Sequence, residues 1–215
     1  MNDFIRALYD TGKRDQVLSD LRACAKKNNV PIIREDAEAL LRMLVRLKRP
    51  KAILETGTAI GYSSIVMAKA SLTPPDIDTI EIDLDMAASA RQNIQRMGLQ
   101  DNIRVIVGDA AEVLPCLTKR YDMIFIDSAK GQYLQLYDDM KSRLAEGGLL
   151  VCDNVIFYGK IFDTPTEAPH KHRTIVSNMR TFLQRLFEDT AYTSVLLKTG
   201  DGMTISVKHT KKEPG

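Results

Sequence analysis

The sequence predicts an α/β protein with a Rossmann-like, doubly wound sheet of seven strands, mostly parallel. From residue 52 onward, short apolar runs alternate with longer segments of helical periodicity, which is the pattern of a parallel sheet with crossover helices. Near the end of the chain, two strand-like runs are separated by a short glycine-containing connection. We therefore expect an antiparallel C-terminal hairpin beside the parallel strands.

Five apolar runs have the length of strands that are buried on both faces. They cover residues 52–55, 77–82, 103–107, 121–126 and 148–151. Four intervening segments have helical spacing and would supply the crossovers. They cover residues 62–70, 85–97, 110–118 and 132–144, and Gly98 follows the second in the position that a C-cap glycine prefers.

The two ends of the chain add to this core. Residues 192–197 and 203–207 form the predicted hairpin, joined by residues 198–202. Residues 14–27 and 35–47 have helical spacing, and Pro31 separates them, so residues 30–34 would run as an extended strap over a ligand. We expect one domain over residues 1–215, with N-terminal helices in 1–50, the core in 51–207 and a polar tail in 208–215.

Composition excludes several classes of protein. A hydrophobic content of 44% and a charged content of 27% are ordinary for a folded globular chain. A net charge of +2 neither requires nor excludes a nucleic-acid partner. Charged residues interrupt positions 1–15, and no run approaches the roughly 20 apolar residues of a membrane span, so we expect no membrane segment and a cytoplasmic protein. The three cysteines are expected to be buried, reduced thiols.

Three strand ends carry residues suited to a nucleoside ligand. The turn Glu55-Thr-Gly-Thr-Ala-Ile-Gly61 follows the first strand and opens a helix, where backbone N–H groups converge, although a plain strand-to-helix turn has the same composition. Glu81 lies 20 residues after Gly61, the separation at which an acid meets a ribose diol, and it is equally suited to capping a helix. Gly108-Asp109-Ala110 follows the third strand and is suited to an adenine amino group.

Acids and an amide follow the next two strands. Asp127 ends the fourth strand, and Asp153 with Asn154 ends the fifth. Carboxylate and amide oxygens are hard ligands, which favour Mg²⁺, Mn²⁺ or Ca²⁺. Asp153-Asn154 alone fits a turn or an N-cap equally well. On adjacent strands, however, Asp127 and Asp153 would repel each other unless a cation bridges them, so this triad is a candidate metal site.

The glycine turn with Glu81 and Asp109 on successive strand ends resembles class I S-adenosylmethionine (SAM)-dependent methyltransferases. The resemblance implies that Glu81 binds the ribose hydroxyls and that Ile33 in the strap covers the methionine end. The remaining residues that it places around the cofactor are Glu55, Gly57 and Ser63 at the methionine part and ribose, Asp109 with Ala110 at the adenine, and Asp127.

Two further segments make the resemblance more specific. Asp127-Ser-Ala-Lys-Gly-Gln-Tyr133 and Asp153-Asn-Val-Ile-Phe-Tyr-Gly159 resemble the metal-dependent O-methyltransferase family that includes catechol and caffeoyl-CoA methyltransferases. They are most similar to the bacterial branch that methylates 5-hydroxyuridine at the wobble position of tRNA. Two residues depart from that branch: Ser128 replaces alanine, and Tyr158 replaces a basic residue, with Lys160 two positions later.

The resemblance implies a mechanism and an assembly. A metal lowers the pKa of a ring hydroxyl, and the resulting oxyanion attacks the methyl group of SAM. Asp127 and Lys130 are the implied catalytic residues. Lys130 would stabilise the oxyanion or accept its proton, and its structural alternative is an ion pair with a nearby carboxylate. The family resemblance also implies a homodimer.

The acceptor remains open between three hypotheses. Residues 158–185 contain five basic and two acidic residues, a net charge of +3, which suits the phosphates of a tRNA anticodon loop or an ordinary solvated helix face. Phe157 or Tyr158 would then stack on a base. The second hypothesis is a small-molecule enzyme acting on catechol-like or hydroxycinnamoyl-CoA-like acceptors, which the absence of Trp slightly disfavours. The third is a non-catalytic SAM-binding RNA module.

Overall fold

The sheet has the strand order β3-β2-β1-β4-β5-β7-β6 in the computed structural model, which describes residues 15–162 and 169–210. The strands are β1 (Ala52–Thr56), β2 (Asp76–Glu81), β3 (Ile103–Val107), β4 (Tyr121–Ile126), β5 (Leu144–Cys152), β6 (Tyr192–Leu197) and β7 (Met203–Lys208). Neighbours among β1–β5 are parallel, and β7 runs antiparallel to both β5 and β6. The predicted mixed sheet with its C-terminal hairpin is confirmed.

Seven α-helices surround this sheet in the described part of the chain. They are α1 (Gln16–Lys27), α2 (Glu35–Lys48), α3 (Tyr62–Ala70), α4 (Leu84–Arg96), α5 (Ala110–Cys116), α6 (Tyr133–Arg143) and α7 (Arg173–Glu188). Ile53 of β1 packs into a core with α1–α4, whereas the next residue, Leu54, packs into a second core with α5–α7. Because successive strand residues point to opposite faces, this alternation produces the doubly wound arrangement.

The element boundaries differ from the sequence predictions in a few places. β5 begins at Leu144, directly after α6, rather than at residue 148. A 3-10 turn, Lys130–Gln132, precedes α6. For the residues of α7 the sequence predicts no bounded helix and offers only a solvated helix face as one alternative for the basic segment. The buried residues of α7 nevertheless have helical spacing: Val176, Met179, Phe182 and Leu186. Gly98 follows the C-cap of α4 with φ +66°, as predicted.

Two of the three cysteines contradict the expected burial. Cys152 is buried in β5, whereas Cys24 and Cys116 are exposed. Cys24 lies on α1 beside Ala25, and only the latter packs into the core, because adjacent helical residues point in different directions.

Some sequence predictions concern residues outside the described ranges. These are the start of the first helix at Arg14, the acids Asp163 and Glu167 of the basic segment, and residues 211–215 of the polar tail. Among the described helices, none has both the length and the apolar character needed to cross a bilayer.

Candidate functional site

A cavity of about 540 Å³ lies at the carboxyl ends of the parallel strands. The strand order changes direction between β1 and β4, so the loops that follow these two strands diverge and leave a crevice, the usual ligand position in open α/β sheets. Seven of the residues predicted from the sequence line it: Gly57, Glu81, Asp109, Ala110, Asp127, Lys130 and Asn154. The tertiary structure therefore brings most of the candidate site together.

Gly57 determines how closely the first turn approaches the neighbouring strand end. Its φ is +90°, and a Cβ atom there would lie 2.4 Å from the main-chain oxygen of Asp127. Any larger residue would therefore combine a strained backbone with a clash. The glycine turn is thus required by close packing against the end of β4, in addition to any approach to a ligand.

Glu81 and Asp109 line the cavity and also hold its loops. Glu81 is 9% exposed and accepts the backbone N–H of Ala59 at 2.7 Å and that of Asp83 at 3.0 Å. Asp109 is the N-cap of α5, where its Oδ1 accepts the N–H of Ala111 and the side-chain amide of Gln132, both at 2.8 Å. For Glu81, a structural contact and a place in the cavity wall therefore apply at once, and the N-cap of α5 is a structural role of Asp109 that its sequence context did not predict.

Glu55 and Ser63 lie behind the cavity wall rather than in it. The Glu55 side chain is fully buried, and its Oε2 accepts hydrogen bonds from Thr79 at 2.6 Å and from Ser64. Its Oε1 has no hydrogen-bond partner among the described residues. Burial raises the pKa of Glu55 to about 7, although the Ser63, Ser64 and Thr79 hydroxyls act in the opposite direction. This carboxyl group retains capacity to accept a hydrogen bond.

The strap at residues 30–34 borders the cavity, but the side chain of Ile33, the residue that the resemblance implied, does not line it. Ile32 and Arg34 line the cavity, whereas Ile33 is 3% exposed and packs into the core of α1–α4. Arg22 of α1 donates to the Ile33 main-chain oxygen at 2.9 Å and pairs with the buried Glu38 at 2.6 Å. The strap is therefore fixed from behind, with the side chain of Ile33 turned inward.

The candidate metal ligands converge because their strands are neighbours. β4 pairs with β5, and Ile126 lies opposite Cys152, so Asp127 and Asp153 follow paired positions. The Asn154 side-chain amide donates to Asp127 Oδ1 at 2.7 Å, and the Asn154 main-chain N–H donates to Asp153 Oδ1 at 2.7 Å. The strand order assumed in the sequence prediction is therefore correct.

The electrostatics of this group leave uncompensated negative charge. Burial, followed by the charge of Asp127, raises the pKa of Asp153 to about 7. Burial also raises the pKa of Asp127, against the opposing effects of Lys130 and Asn154. The Lys130 Nζ lies 3.9 Å from Asp127 Oδ1. The buried Asp153 and the partly exposed Asp127, with one lysine at this distance, fit an added cation.

The described residues contain no cluster of three or more His, Cys, Asp or Glu side chains arranged for a metal. The candidate set has two carboxylates, and its third donor is the side-chain amide of Asn154. Its fit to a divalent ion rests on the hard oxygen donors of Asp127, Asp153 and Asn154 and on the raised pKa values of the two acids.

Two cavity residues were missed or left without a role at the sequence level. Asp201, in the β6–β7 connection, lines the cavity and accepts the main-chain N–H of Tyr158. Its Gly-Asp-Gly sequence predicts only a hairpin turn, and nothing in the local sequence distinguishes an ordinary turn from one that contributes to a cavity. Arg34 also lines the cavity and donates to the main-chain oxygen of Gly200, the residue before Asp201, at 3.2 Å. The signal that could have identified Arg34 as a cavity residue is its position in the predicted strap.

The reversed strand β7 within an otherwise parallel sheet, together with a polar cavity at the carboxyl ends of β1–β5, defines an α/β fold of the class I methyltransferase type. Comparison with known proteins then identifies the family. A family model described as O-methyltransferase matches residues 10–209. The chain belongs to this O-methyltransferase family.

Similar proteins agree with this assignment. A catechol O-methyltransferase from Niastella koreensis is 35% identical over 176 residues, which cover 78% of this chain and 77% of that protein. A candidate caffeoyl-CoA O-methyltransferase from Staphylococcus aureus has a crystal structure with a TM-score of 0.87 and 32% identity, covering 96% of this chain and 98% of that one. TomG, an O-methyltransferase of Streptomyces achromogenes crystallised with SAM, gives a TM-score of 0.79 and 28% identity, with 91% coverage of both chains.

Proposed function

We propose that this protein is a SAM- and divalent-metal-dependent O-methyltransferase that methylates 5-hydroxyuridine at the wobble position of tRNA, giving 5-methoxyuridine. One observation carries the proposal. Asp127 and Asn154 line the same cavity as Gly57 and Glu81. Asp153 is buried beside them, at the end of the strand next to that of Asp127, and accepts the main-chain N–H of Asn154. A methyl donor and a metal would therefore lie side by side.

The cofactor half of the proposal is supported by chemistry at the ends of β1–β3. Glu81 is an anionic acceptor at the cavity wall, as ribose hydroxyl donors require. TomG, which shares the fold, was crystallised with SAM. We propose SAM as the methyl donor here.

The acceptor half would use Asp127, Asp153 and Asn154 to hold the metal. When bound, a divalent ion lowers the pKa of a coordinating hydroxyl group and orients it. Lys130 lines the cavity within 3.9 Å of Asp127, a position from which its ammonium group stabilises negative charge on the acceptor oxygen. Close approach of donor and acceptor supplies the rest of the rate enhancement.

The assignment of tRNA as acceptor has separate support. The Asp127–Tyr133 sequence resembles the tRNA branch, and Tyr158 at the cavity is 80% exposed, which leaves its ring available for stacking on a base. The Lys160 ammonium nitrogen lies 4.8 Å from the ring centre of Phe157, the residue before Tyr158. In contrast, Arg185 pairs with Asp138 at 2.6 Å, so it contributes less to an RNA surface than its charge implied.

A small-molecule acceptor is the second candidate. It is favoured by the relative from Niastella koreensis, which is named a catechol O-methyltransferase. An exposed Tyr158 ring suits a catechol or a hydroxycinnamoyl group as well as a base. We also propose that the protein is a homodimer, which sedimentation measurements would test: a species of one chain's mass, 24.1 kDa, would contradict it.

The deciding experiment compares three acceptors with labelled SAM and Mg²⁺: tRNA carrying 5-hydroxyuridine, a catechol and caffeoyl-CoA. We expect transfer to tRNA with the highest kcat/KM. The same tRNA without the hydroxyl group serves as the matched control, and EDTA should abolish transfer. Methylation of the catechol or caffeoyl-CoA alone would replace the tRNA assignment with the second candidate, and full activity in EDTA would exclude the metal.

A further inference from the structure

The connection between β6 and β7 holds one wall of the cavity in place. Asp201 lines the cavity, and both of its carboxylate oxygens lie 2.8 Å from the main-chain nitrogen of Tyr158, which donates one N–H to the pair. Forty-three residues separate these two partners in sequence. The contact therefore exists only in the folded protein, and it fixes the residue whose ring is 80% exposed at the cavity.

The segment that carries Tyr158 needs such a restraint. Asn154, Phe157 and Tyr158 have φ values of +57°, +52° and +53°, in the left-handed region that L-residues other than Asn seldom adopt. Residues in such conformations persist when surrounding contacts over-determine them. A segment with three of them in five residues would relax to other conformations if its contacts were removed.

Three main-chain N–H groups of this segment are held by the same turn. The N–H of Val155 donates to the Gly202 oxygen at 3.0 Å, and that of Ile156 donates to the Asp201 oxygen at 2.8 Å. The Asp201 side chain then takes the N–H of Tyr158. Of these three contacts, only the last depends on a side chain of the turn, so it alone can be removed by substitution without altering the backbone.

The other side of the turn is fixed independently. The N–H of Gly200 donates to Asp36 Oδ2 at 2.9 Å, and Arg34 donates to the Gly200 oxygen at 3.2 Å. The turn is thereby tied to the start of α2 and to the strap. The turn that carries Asp201 therefore has contacts to α2 and the strap in addition to those with the Asn154–Tyr158 segment.

We propose that Asp201 is a positioning residue for the methyl acceptor. It acts through Tyr158: by fixing the main chain of that residue, it orients the exposed ring against the acceptor beside Asp127 and Lys130. The inference rests on the proposed methyl transfer but not on the identity of the acceptor. It assigns to the hairpin turn a function in acceptor binding and none in cofactor binding.

Kinetics provide the first test, with whichever acceptor the wild-type protein methylates. Asp201→Ala should raise the acceptor KM about tenfold while the SAM dissociation constant stays within about twofold. Asp201→Asn, which keeps an oxygen acceptor for the N–H, should recover most of the loss. The matched control is Asp122→Ala, which removes a carboxylate that accepts two main-chain N–H groups, of Lys51 and Ala52, away from the cavity.

A double substitution separates positioning from a general structural effect. If Asp201 acts through Tyr158, the double variant Asp201→Ala/Tyr158→Ala should have nearly the same acceptor KM as Tyr158→Ala alone. Once the ring is absent, fixing the main chain that carries it has no further effect on the acceptor. Additive effects would overturn the proposal. So would an unchanged acceptor KM in Asp201→Ala, or a KM rise of equal size in Asp122→Ala.

A second measurement needs no substrate and so distinguishes this inference from the proposed function. The chain contains no Trp, so Tyr158→Trp introduces a single tryptophan at the cavity, whose fluorescence is recorded with excitation that is selective for tryptophan. Adding Asp201→Ala should lower its fluorescence anisotropy, whereas adding Asp122→Ala should not. Unchanged anisotropy would overturn the positioning role. A wild-type protein that transfers no methyl group would overturn the proposed function while this result still stands.

Discussion

The two halves of the cavity are assembled differently. At the ends of β1–β3, the wall is built from turns and helix starts that follow each strand directly: Gly57 after β1, Glu81 at the end of β2 and Asp109 before α5. At the ends of β4 and β5, the wall depends on contacts between distant segments, such as Tyr158 with Asp201 and Arg34 with Gly200. The comparison teaches that the half at β1–β3, which we propose binds the cofactor, takes its wall residues from the turn after each strand. The half at β4 and β5, which we propose binds the acceptor, depends on segments brought from elsewhere in the chain.

If the halves are separable, damage to one should spare the other. The largest effect is expected for Asp153→Asn, which should lower the methyl-transfer rate by at least about 10²-fold, because the proposed metal site loses one of its two carboxylates. Calorimetry should find SAM binding nearly unchanged. Asp78→Asn, a substitution of a buried acid on β2 that pairs with Arg104, is the matched control and should retain transfer. Loss of SAM binding in Asp153→Asn would show that the halves are coupled.

Gly57→Ala should disturb the backbone of the cofactor half and its packing against the main chain of Asp127. The new Cβ would lie 2.4 Å from the Asp127 oxygen at φ +90°, so we expect unfolding free energy to fall by about 2–4 kcal/mol and SAM affinity to fall with it.

The control is Gly98→Ala, at φ +66° with no atom within 4 Å of the new Cβ, which isolates the backbone cost of about 1–2 kcal/mol. Chemical denaturation measures both. Equal losses in the two variants would mean that the contact with Asp127 is unimportant.

Glu55 predicts a pH dependence of stability in the cofactor half. Its pKa is about 7 in the folded protein and lies above the reference value of 4.5, so the folded state retains the proton that the unfolded state has lost. Stability should therefore fall as pH rises from 5 to 7, by at most about 3 kcal/mol from this group.

Glu55→Gln removes this titration, so thermal unfolding across that range should become less dependent on pH. The slope should not vanish, because Asp153 also has a raised pKa and contributes with the same sign. An identical slope in Glu55→Gln and the wild type would contradict the raised pKa of Glu55.

The smallest effect is expected for Glu81→Gln. The amide keeps one acceptor oxygen but loses the charge, so the SAM dissociation constant should rise roughly tenfold, while the acceptor KM stays constant. Isothermal titration and initial-rate measurements provide the two values. Glu188→Gln, on an exposed position at the end of α7, should change neither. A rise in the acceptor KM without a change in the SAM dissociation constant would contradict the assignment of Glu81 to the cofactor half.

Several predictions from the sequence were confirmed because they depend on local periodicity. The mixed sheet, its hairpin and the family followed from alternating patterns and from motifs such as residues 127–133. The burial of Cys24 was wrong, and α7 was overlooked. The roles of the individual site residues stay predictions, although the structure brings Glu81, Asp109 and Asp127 to one cavity.

The sequence by itself determined the parallel core and the polar strand ends, since side-chain periodicity and turn chemistry act over a few residues. Only the tertiary structure decided which side of the strap faces the cavity and which turn holds Tyr158. Ile33 is turned inward because Arg22 and Glu38 hold the strap from behind, and Asp201 reaches Tyr158 because β7 lies beside β5. These are contacts between segments far apart in sequence, which no local pattern encodes.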